Sequence, residues 1–300
     1  MPPSTAPFDL NKLHEATANA PPPPEPIVVT ATDGIELAVR IYRPPAAPKG
    51  ILVFYHGGGA HSAAGYHLMA QKLATDHDIQ VYTPDLRGHG ESGGPRGDAP
   101  SPQQVYQDVD SVLELVGRQE ESTLPLFLGG HSSGAGLVIQ YATQSTKQQQ
   151  QDNNIKGYLL LSPQLGPNAG VANDGTASSS FAKVSVLPFI LNGIFGVMGH
   201  YPSVRFQYSD QELADPRMVS FNTVHMANAI SPMEPAKQLE QMTKDCPTIL
   251  WMGERDELFV ASKVQSLYAP TVIVPEATHL GILVVAHKLM GPWMEQQMME

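Results

Sequence analysis

The apolar run Leu124-Pro125-Leu126-Phe127-Leu128 leads into Gly130-His131-Ser132-Ser133-Gly134, which is followed by Ala135-Gly136-Leu137-Val138-Ile139. This reads as a strand, a sharp turn and a helix, with a serine at the apex of the turn. A side chain held on so tight a turn needs small neighbours, because bulky ones would collide with the strand behind it and the helix ahead. Two serines compete for the apex, and the glycine frame separates them. Ser132 has Gly130 and Gly134 two residues to either side, whereas Ser133 would need glycine where His131 and Ala135 stand. Ser132 is the candidate nucleophile.

A serine hydroxyl attacks only when a base removes its proton, and the base in turn needs an acid to hold its tautomer. On a strand–turn–helix elbow the expected chain order is serine, carboxylate, histidine. Downstream, Thr248-Ile249-Leu250-Trp251-Met252 reads as a buried strand, and Gly253-Glu254-Arg255-Asp256 as the turn after it. Thr271-Val272-Ile273-Val274 is a second buried strand, and Pro275-Glu276-Ala277-Thr278-His279 its exit loop. Both groups lie just past strand C-terminal ends, where open α/β sheets carry their reactive residues. Asp256 is the candidate orienting acid and His279 the candidate base. Glu254 and Glu257 flank Asp256 and read as solvated surface charge. Of the other downstream histidines, His200 and His225 fall in a segment expected to form a cap, and His287 in a terminal helical pattern.

A tetrahedral oxyanion needs hydrogen-bond donors. Ile51-Leu52-Val53-Phe54-Tyr55 is an apolar strand ending in His56-Gly57-Gly58-Gly59, and glycines there leave backbone N–H groups unobstructed. One donor is expected from this loop and one from the backbone of Ser133, directly after the nucleophile.

Taken together, these pieces resemble the α/β-hydrolase superfamily, and within it the monoacylglycerol lipase-like and lysophospholipase-like serine hydrolases. The likeness rests on His56-Gly57-Gly58-Gly59-Ala60-His61-Ser62 with Tyr66 shortly after, and on Asp85-Leu86-Arg87-Gly88-His89-Gly90-Glu91-Ser92. It rests also on Gly129 to Gly134, on Gly253 to Asp256, and on His279 beyond the last strand. The resemblance covers residues 27–165 and 230–298. It implies that Gly58 supplies the second oxyanion donor and that the Arg87 to Ser92 loop shapes the rim of the site. Two departures stand out. Ser133 and Ala135 replace the methionine and glycine usual in such lipases, and Phe259 replaces a smaller residue where an acyl pocket is expected.

Composition fits this reading. The 300 residues are 42% hydrophobic, enough for one α/β domain with an insertion. A net charge of −11 argues against nucleic acid as a partner and against electrostatic docking on anionic membranes. The single cysteine, Cys246, excludes a disulfide framework within the chain. No basic, apolar leader pattern opens the sequence, so a cytoplasmic location is the expectation. The chemistry requires no metal and no organic cofactor.

The expected fold class is α/β. Alternating strands and helices imply a mostly parallel central sheet flanked by helices, and the resemblance makes this an α/β-hydrolase fold. Residues 1–26, with Pro21-Pro22-Pro23-Pro24, read as an extended Pro-rich arm. Ile27 to Tyr42 reads as a hairpin around Asp33-Gly34, and Val105, Val109, Val112 and Val116 mark one face of a sheet-covering helix. Residues 147–154 read as a polar surface loop and 168–180 as a small-residue loop. The core is expected at 27–165 and 231–300, with 166–230 as an inserted helical cap, since that segment is too long for a connection.

Within the cap, Val184 to Met198 is apolar but shorter and more broken than the roughly 20 residues a membrane span needs. It reads as a lid. Phe189 and Phe195, with Phe259, are expected to line an acyl tunnel, while the outer surface makes transient contact with lipid aggregates.

The function expected is hydrolysis of a small-molecule, lipid-like carboxylic ester through an acyl-enzyme. Two alternatives stand beside it. One is an aminopeptidase on the same scaffold, with Asp210, Glu212 and Asp215 holding a substrate amine. The other is a non-catalytic ligand-binding protein of the same fold.

Overall fold

Strands covered by helices on both faces are buried throughout rather than alternating between buried and exposed, and three segments are buried at every position. They are Gly50–Tyr55, Ile79–Pro84 and Leu126–His131. The structure is a computed structural model describing residues 11–18, 20–119, 124–144, 154–173 and 181–299. Its strands are β1 (Ile27–Thr30), β2 (Glu36–Tyr42), β3 (Gly50–Tyr55), β4 (Ile79–Pro84), β5 (Leu126–His131) and β6 (Ile155–Leu161). They continue with β7 (Ala182–Val184), β8 (Pro202–Phe206), β9 (Phe221–Thr223), β10 (Thr248–Gly253) and β11 (Thr271–Val274). The helices are α1 (Asn11–Ala18), α2 (Tyr66–His77), α3 (Pro102–Gln119), α4 (Ser133–Gln144) and α5 (Val186–Phe195). The rest are α6 (Asp210–Leu213), α7 (Val224–Ile230), α8 (Pro235–Asp245), α9 (Ala261–Leu267) and α10 (Ile282–Met299).

Eight strands form the central sheet in the order β1-β2-β4-β3-β5-β6-β10-β11. The β1–β2 hairpin and the β2–β4 pairing are antiparallel, and the strands from β4 to β11 run parallel. This is the α/β-hydrolase architecture. Period-two alternation sends successive side chains of β3 to opposite faces. Ile51, Val53 and Tyr55 join a core with Val105, Val109 and Val112 of α3, Leu137 of α4, and Leu239 of α8. Leu52 and Phe54 join the opposite core with Met69 and Leu73 of α2 and with Ile282 and Met290 of α10.

Two expectations change. The N-terminal arm is helical over Asn11–Ala18, where Leu13 is buried beside α2 and α10, so an apolar anchor overrides the weak periodicity. Residues 1–10 lie outside the described residues, as do 147–153 of the expected polar loop and 174–180 of the small-residue loop. The cap is also not purely helical. Strands β7, β8 and β9 form a three-stranded antiparallel sheet of their own, with α5 and α6 around it. Its strands are three to five residues long, too short for alternation to register as a pattern. The last helix of the expected cap, α7, packs on α3 and α4 of the main domain as well as on β8 and β9.

Candidate active site

The elbow takes the form the glycines demand. Ser132 sits at φ +53°, a left-handed conformation costly for a residue with a Cβ. A Cβ on Gly130 would fall 2.3 Å from the Gly134 carbonyl carbon, and one on Gly134 would fall 2.3 Å from the Tyr55 oxygen. Neither contact is survivable, so both positions are closed to any other residue. The strained turn is tied down on both sides. The Ser132 N–H donates to the Leu161 carbonyl at 3.0 Å, and its own carbonyl accepts from Gly136 and Gln164 at 3.1 and 3.0 Å.

Loops after β10 and β11 bring the other two predicted residues to the serine. The Ser132 hydroxyl donates to His279 Nε2 at 3.0 Å, and His279 Nδ1–H donates to Asp256 Oδ2 at 2.7 Å. The second oxygen of Asp256 accepts from the Leu258 and Phe259 N–H groups, both at 2.9 Å. Those bonds aim the carboxylate and leave its other oxygen for the imidazole. Ser132, Asp256 and His279 are all buried, at 9%, 6% and 2% exposure, so these hydrogen bonds lie in a poorly solvated place where charge–dipole interactions are strong.

The predicted donors lie beside the serine. Gly58 follows β3, and a Cβ built on it would touch Ser133 Oγ at 2.8 Å and Phe206 at 3.0 Å. Ser133 is the first residue of α4, whose leading N–H groups have no helical partner. Among the described residues, neither the Gly58 nor the Ser133 N–H donates to another backbone carbonyl outside the helix and strand ladders.

A buried chain of hydrogen bonds joins the glycine loop to the histidine. The Gly57 N–H donates to Tyr66 Oη at 2.8 Å, and the Tyr66 hydroxyl donates to His131 Nδ1 at 2.9 Å. His131 Nε2–H then donates to the His279 carbonyl at 2.9 Å. Burial, with the neighbouring His279, holds the His131 pKa well below the ordinary histidine value. His131 therefore stays neutral, as its one-donor, one-acceptor position requires.

Glu257 is not mere surface charge, because its carboxylate accepts the His279 N–H at 2.8 Å. Glu254 likewise accepts the Glu276 N–H at 3.0 Å. No pattern in the sequence distinguishes such a carboxylate from a solvated one. Its only signal is position beside Asp256.

Phe259 lies beside the base, edge-on to the His279 ring at 5.6 Å between centroids. The other two predicted pocket residues lie on α5. Phe195 is 68% exposed on the outer face of α5, and Phe189 is half-buried on the same helix. The aromatic group over the site comes instead from Phe181 and Phe206, packed with Leu258. Helical periodicity identifies a stripe but not which neighbour covers it.

The model of the family described as serine aminopeptidase, S33, matches residues 46–274. The chain belongs to that family. Monoglyceride lipase of Rattus norvegicus is 28% identical over 251 residues, covering 80% of this chain and 76% of the rat protein. Monoacylglycerol lipase of Mycolicibacterium smegmatis is 32% identical over 161 residues, and this chain spans only 52% of its length. In fold, the chain is similar to a soluble variant of monoglyceride lipase from Saccharomyces cerevisiae, solved with a substrate analog. The TM-score is 0.70 at 16% identity, over 98% of this chain and 99% of that one.

Proposed function

We propose that this protein hydrolyses carboxylic esters bearing a hydrophobic acyl group, of monoacylglycerol or lysolipid type, through an acyl-enzyme on Ser132. The observation that carries the reading is the continuous relay from Ser132 Oγ to His279 to Asp256, at 3.0 and 2.7 Å, beneath a strained elbow. Similarity to monoglyceride lipases supports the choice of substrate.

In the first step Ser132 Oγ attacks the acyl carbonyl carbon as His279 Nε2 takes its proton. The carbonyl π electrons move onto oxygen, which the Gly58 and Ser133 N–H groups hold. Asp256 stabilises the imidazolium through Nδ1–H. Collapse of the tetrahedral adduct breaks the ester C–O bond, and His279 returns its proton to the departing alcohol. Water then attacks the acyl-enzyme by the same route and releases the acid and free Ser132.

An amine-recognising aminopeptidase is the weaker reading. Glu212 is engaged in the capping box that starts α6, and Asp215 is bound by the Arg217 guanidinium at 2.8 Å. Two of the three acidic cap residues therefore already have partners. A binding protein freed from catalysis has no use for a relay so closely aligned.

The outer cap supports contact with lipid aggregates. Leu187, Ile194 and Phe195 are 65%, 66% and 68% exposed on α5, a helix without charged residues. Apolar surface gathered in this way marks an interaction face.

The test is labelling with a fluorophosphonate, followed by a panel of esters of increasing acyl length run beside aminoacyl amides. Wild-type protein should label and the Ser132→Ala protein should not. Each methylene that finds an apolar site should add up to about 0.8 kcal/mol of binding. Labelling that persists without Ser132, or amides cleaved faster than esters, overturns the proposal.

A further inference from the structure

Three consecutive glycines form the loop that carries the Gly58 donor, and glycine has little torsional preference of its own. The direction of the Gly58 N–H is therefore set by whatever grips the peptide groups around it. On one side the main domain does so. The Leu86 N–H donates to His56 Nε2 at 3.0 Å, which leaves Nδ1–H to donate to the Gly57 carbonyl at 2.8 Å. Carbonyl and N–H point in opposite directions across a trans peptide, so this bond turns the Gly58 N–H the other way.

On the other side the grip comes from the inserted segment. The Tyr208 hydroxyl donates to the Gly58 carbonyl at 2.6 Å, and the Val219 N–H donates to the Gly59 carbonyl at 2.8 Å. The fit is close. A Cβ on Gly59 would lie 2.4 Å from the Val219 oxygen and 2.8 Å from both the Phe206 and Tyr208 rings. Tyr208 is itself wedged edge-on against Phe181 at 5.3 Å and tilted against Phe206 at 6.1 Å. Burial raises its hydroxyl pKa well above the ordinary tyrosine value, so it remains a donor.

We infer that Tyr208 is a positioning residue: its hydroxyl fixes the Gly58–Gly59 peptide so that the Gly58 N–H stays aimed at the oxyanion, which makes acyl transfer depend on the cap being seated. The inference rests on the reading of Gly58 as an oxyanion donor. It assigns the inner cap a part in the chemistry that its outer apolar face does not have.

The experiment is Tyr208→Phe, which keeps the ring and its packing and removes one oxygen. Activity is measured on a soluble short-chain ester, together with inhibition by a boronic acid that forms a tetrahedral adduct on serine. Losing an oxyanion donor outright costs 10²- to 10³-fold, and losing one bond that aims it should cost less. We expect kcat to fall about 3- to 10-fold with KM within about twofold. Boronate affinity should weaken by the same factor, and Tm should fall by no more than about 4 °C.

Unchanged kcat, a rise in KM alone, or a drop in Tm without a matching loss of boronate affinity would each overturn the assignment. Fluorophosphonate labelling of the wild type separates the two levels. No labelling removes the serine-hydrolase reading and this inference together. Full labelling with unchanged kcat in Tyr208→Phe removes only the role of Tyr208.

Discussion

At Ser132 the main chain is held at φ +53° by hydrogen bonds from both sides, and this presents the hydroxyl to His279 without a side-chain rearrangement. Ser132→Ala should abolish covalent labelling and nearly all turnover. Ser133→Ala should retain much of the activity, because only its backbone N–H is asked to act. Mass spectrometry of the labelled proteins checks both, and loss of the label in the Ser133 variant alone would exchange the two roles. Asp256→Asn should leave a folded protein whose kcat is lower by up to about 10⁴-fold, because an amide no longer selects the tautomer with the proton on Nδ1. A Glu257→Gln protein measured alongside should lose much less, since the Glu257 carboxylate holds a backbone N–H of His279 rather than its ring. Both glycines of the elbow, and the serine between them, are legible from the sequence, because the steric reason for them is local. The job of Glu257 is not, because it is defined by a partner 22 residues away.

The elements carry the next level of specificity. Helix α5 buries little of its apolar surface: Val186, Leu187, Ile190 and Ile194 are all exposed. If that face meets lipid aggregates, replacing Leu187 and Ile194 with glutamine should slow hydrolysis of long-chain esters in micelles or vesicles. Hydrolysis of a soluble acetate ester should be unaffected. Parallel rate assays on the two substrates decide, and proportional losses on both would make the helix a packing element instead. Phe195, expected with Phe189 to line an acyl tunnel under the same lid, is exposed rather than turned inward. The apolar run was legible in the sequence but its facing was not: α5 turns apolar side chains outward, while Phe181 and Phe206 cluster with Leu258.

For the whole molecule the buried histidines set the response to pH. Burial lowers His61 to about 4 and His89 to about 3, and it also lowers His56 and His131. A histidine whose folded pKa is depressed stabilises the fold fully above its unfolded pKa of about 6.5, and that contribution is lost as pH falls below it. One unit below, each fully neutral histidine has lost about 1.4 kcal/mol. Asp108 and Asp110, raised chiefly by burial, act in the opposite sense. The net expectation is a Tm that drops between pH 7.5 and 5.5, measured by calorimetry, and a flat profile would mean that these histidines protonate within the fold. At this scale the division between sequence and structure is clear. The amino-acid sequence alone determined the α/β class, the parallel sheet, and the chain order of the serine, carboxylate and histidine that the fold brings together. Each of these rests on local sterics, on residue period, or on a reactive group at a strand end. Only the tertiary structure decided that the arm folds as a helix on Leu13, that the cap contains a sheet, and that its apolar helix faces outward. It alone brought Tyr208 to Gly58 across 150 residues of chain. Those outcomes follow from which surfaces cover one another, and a linear pattern of apolar and polar residues does not name its covering partner.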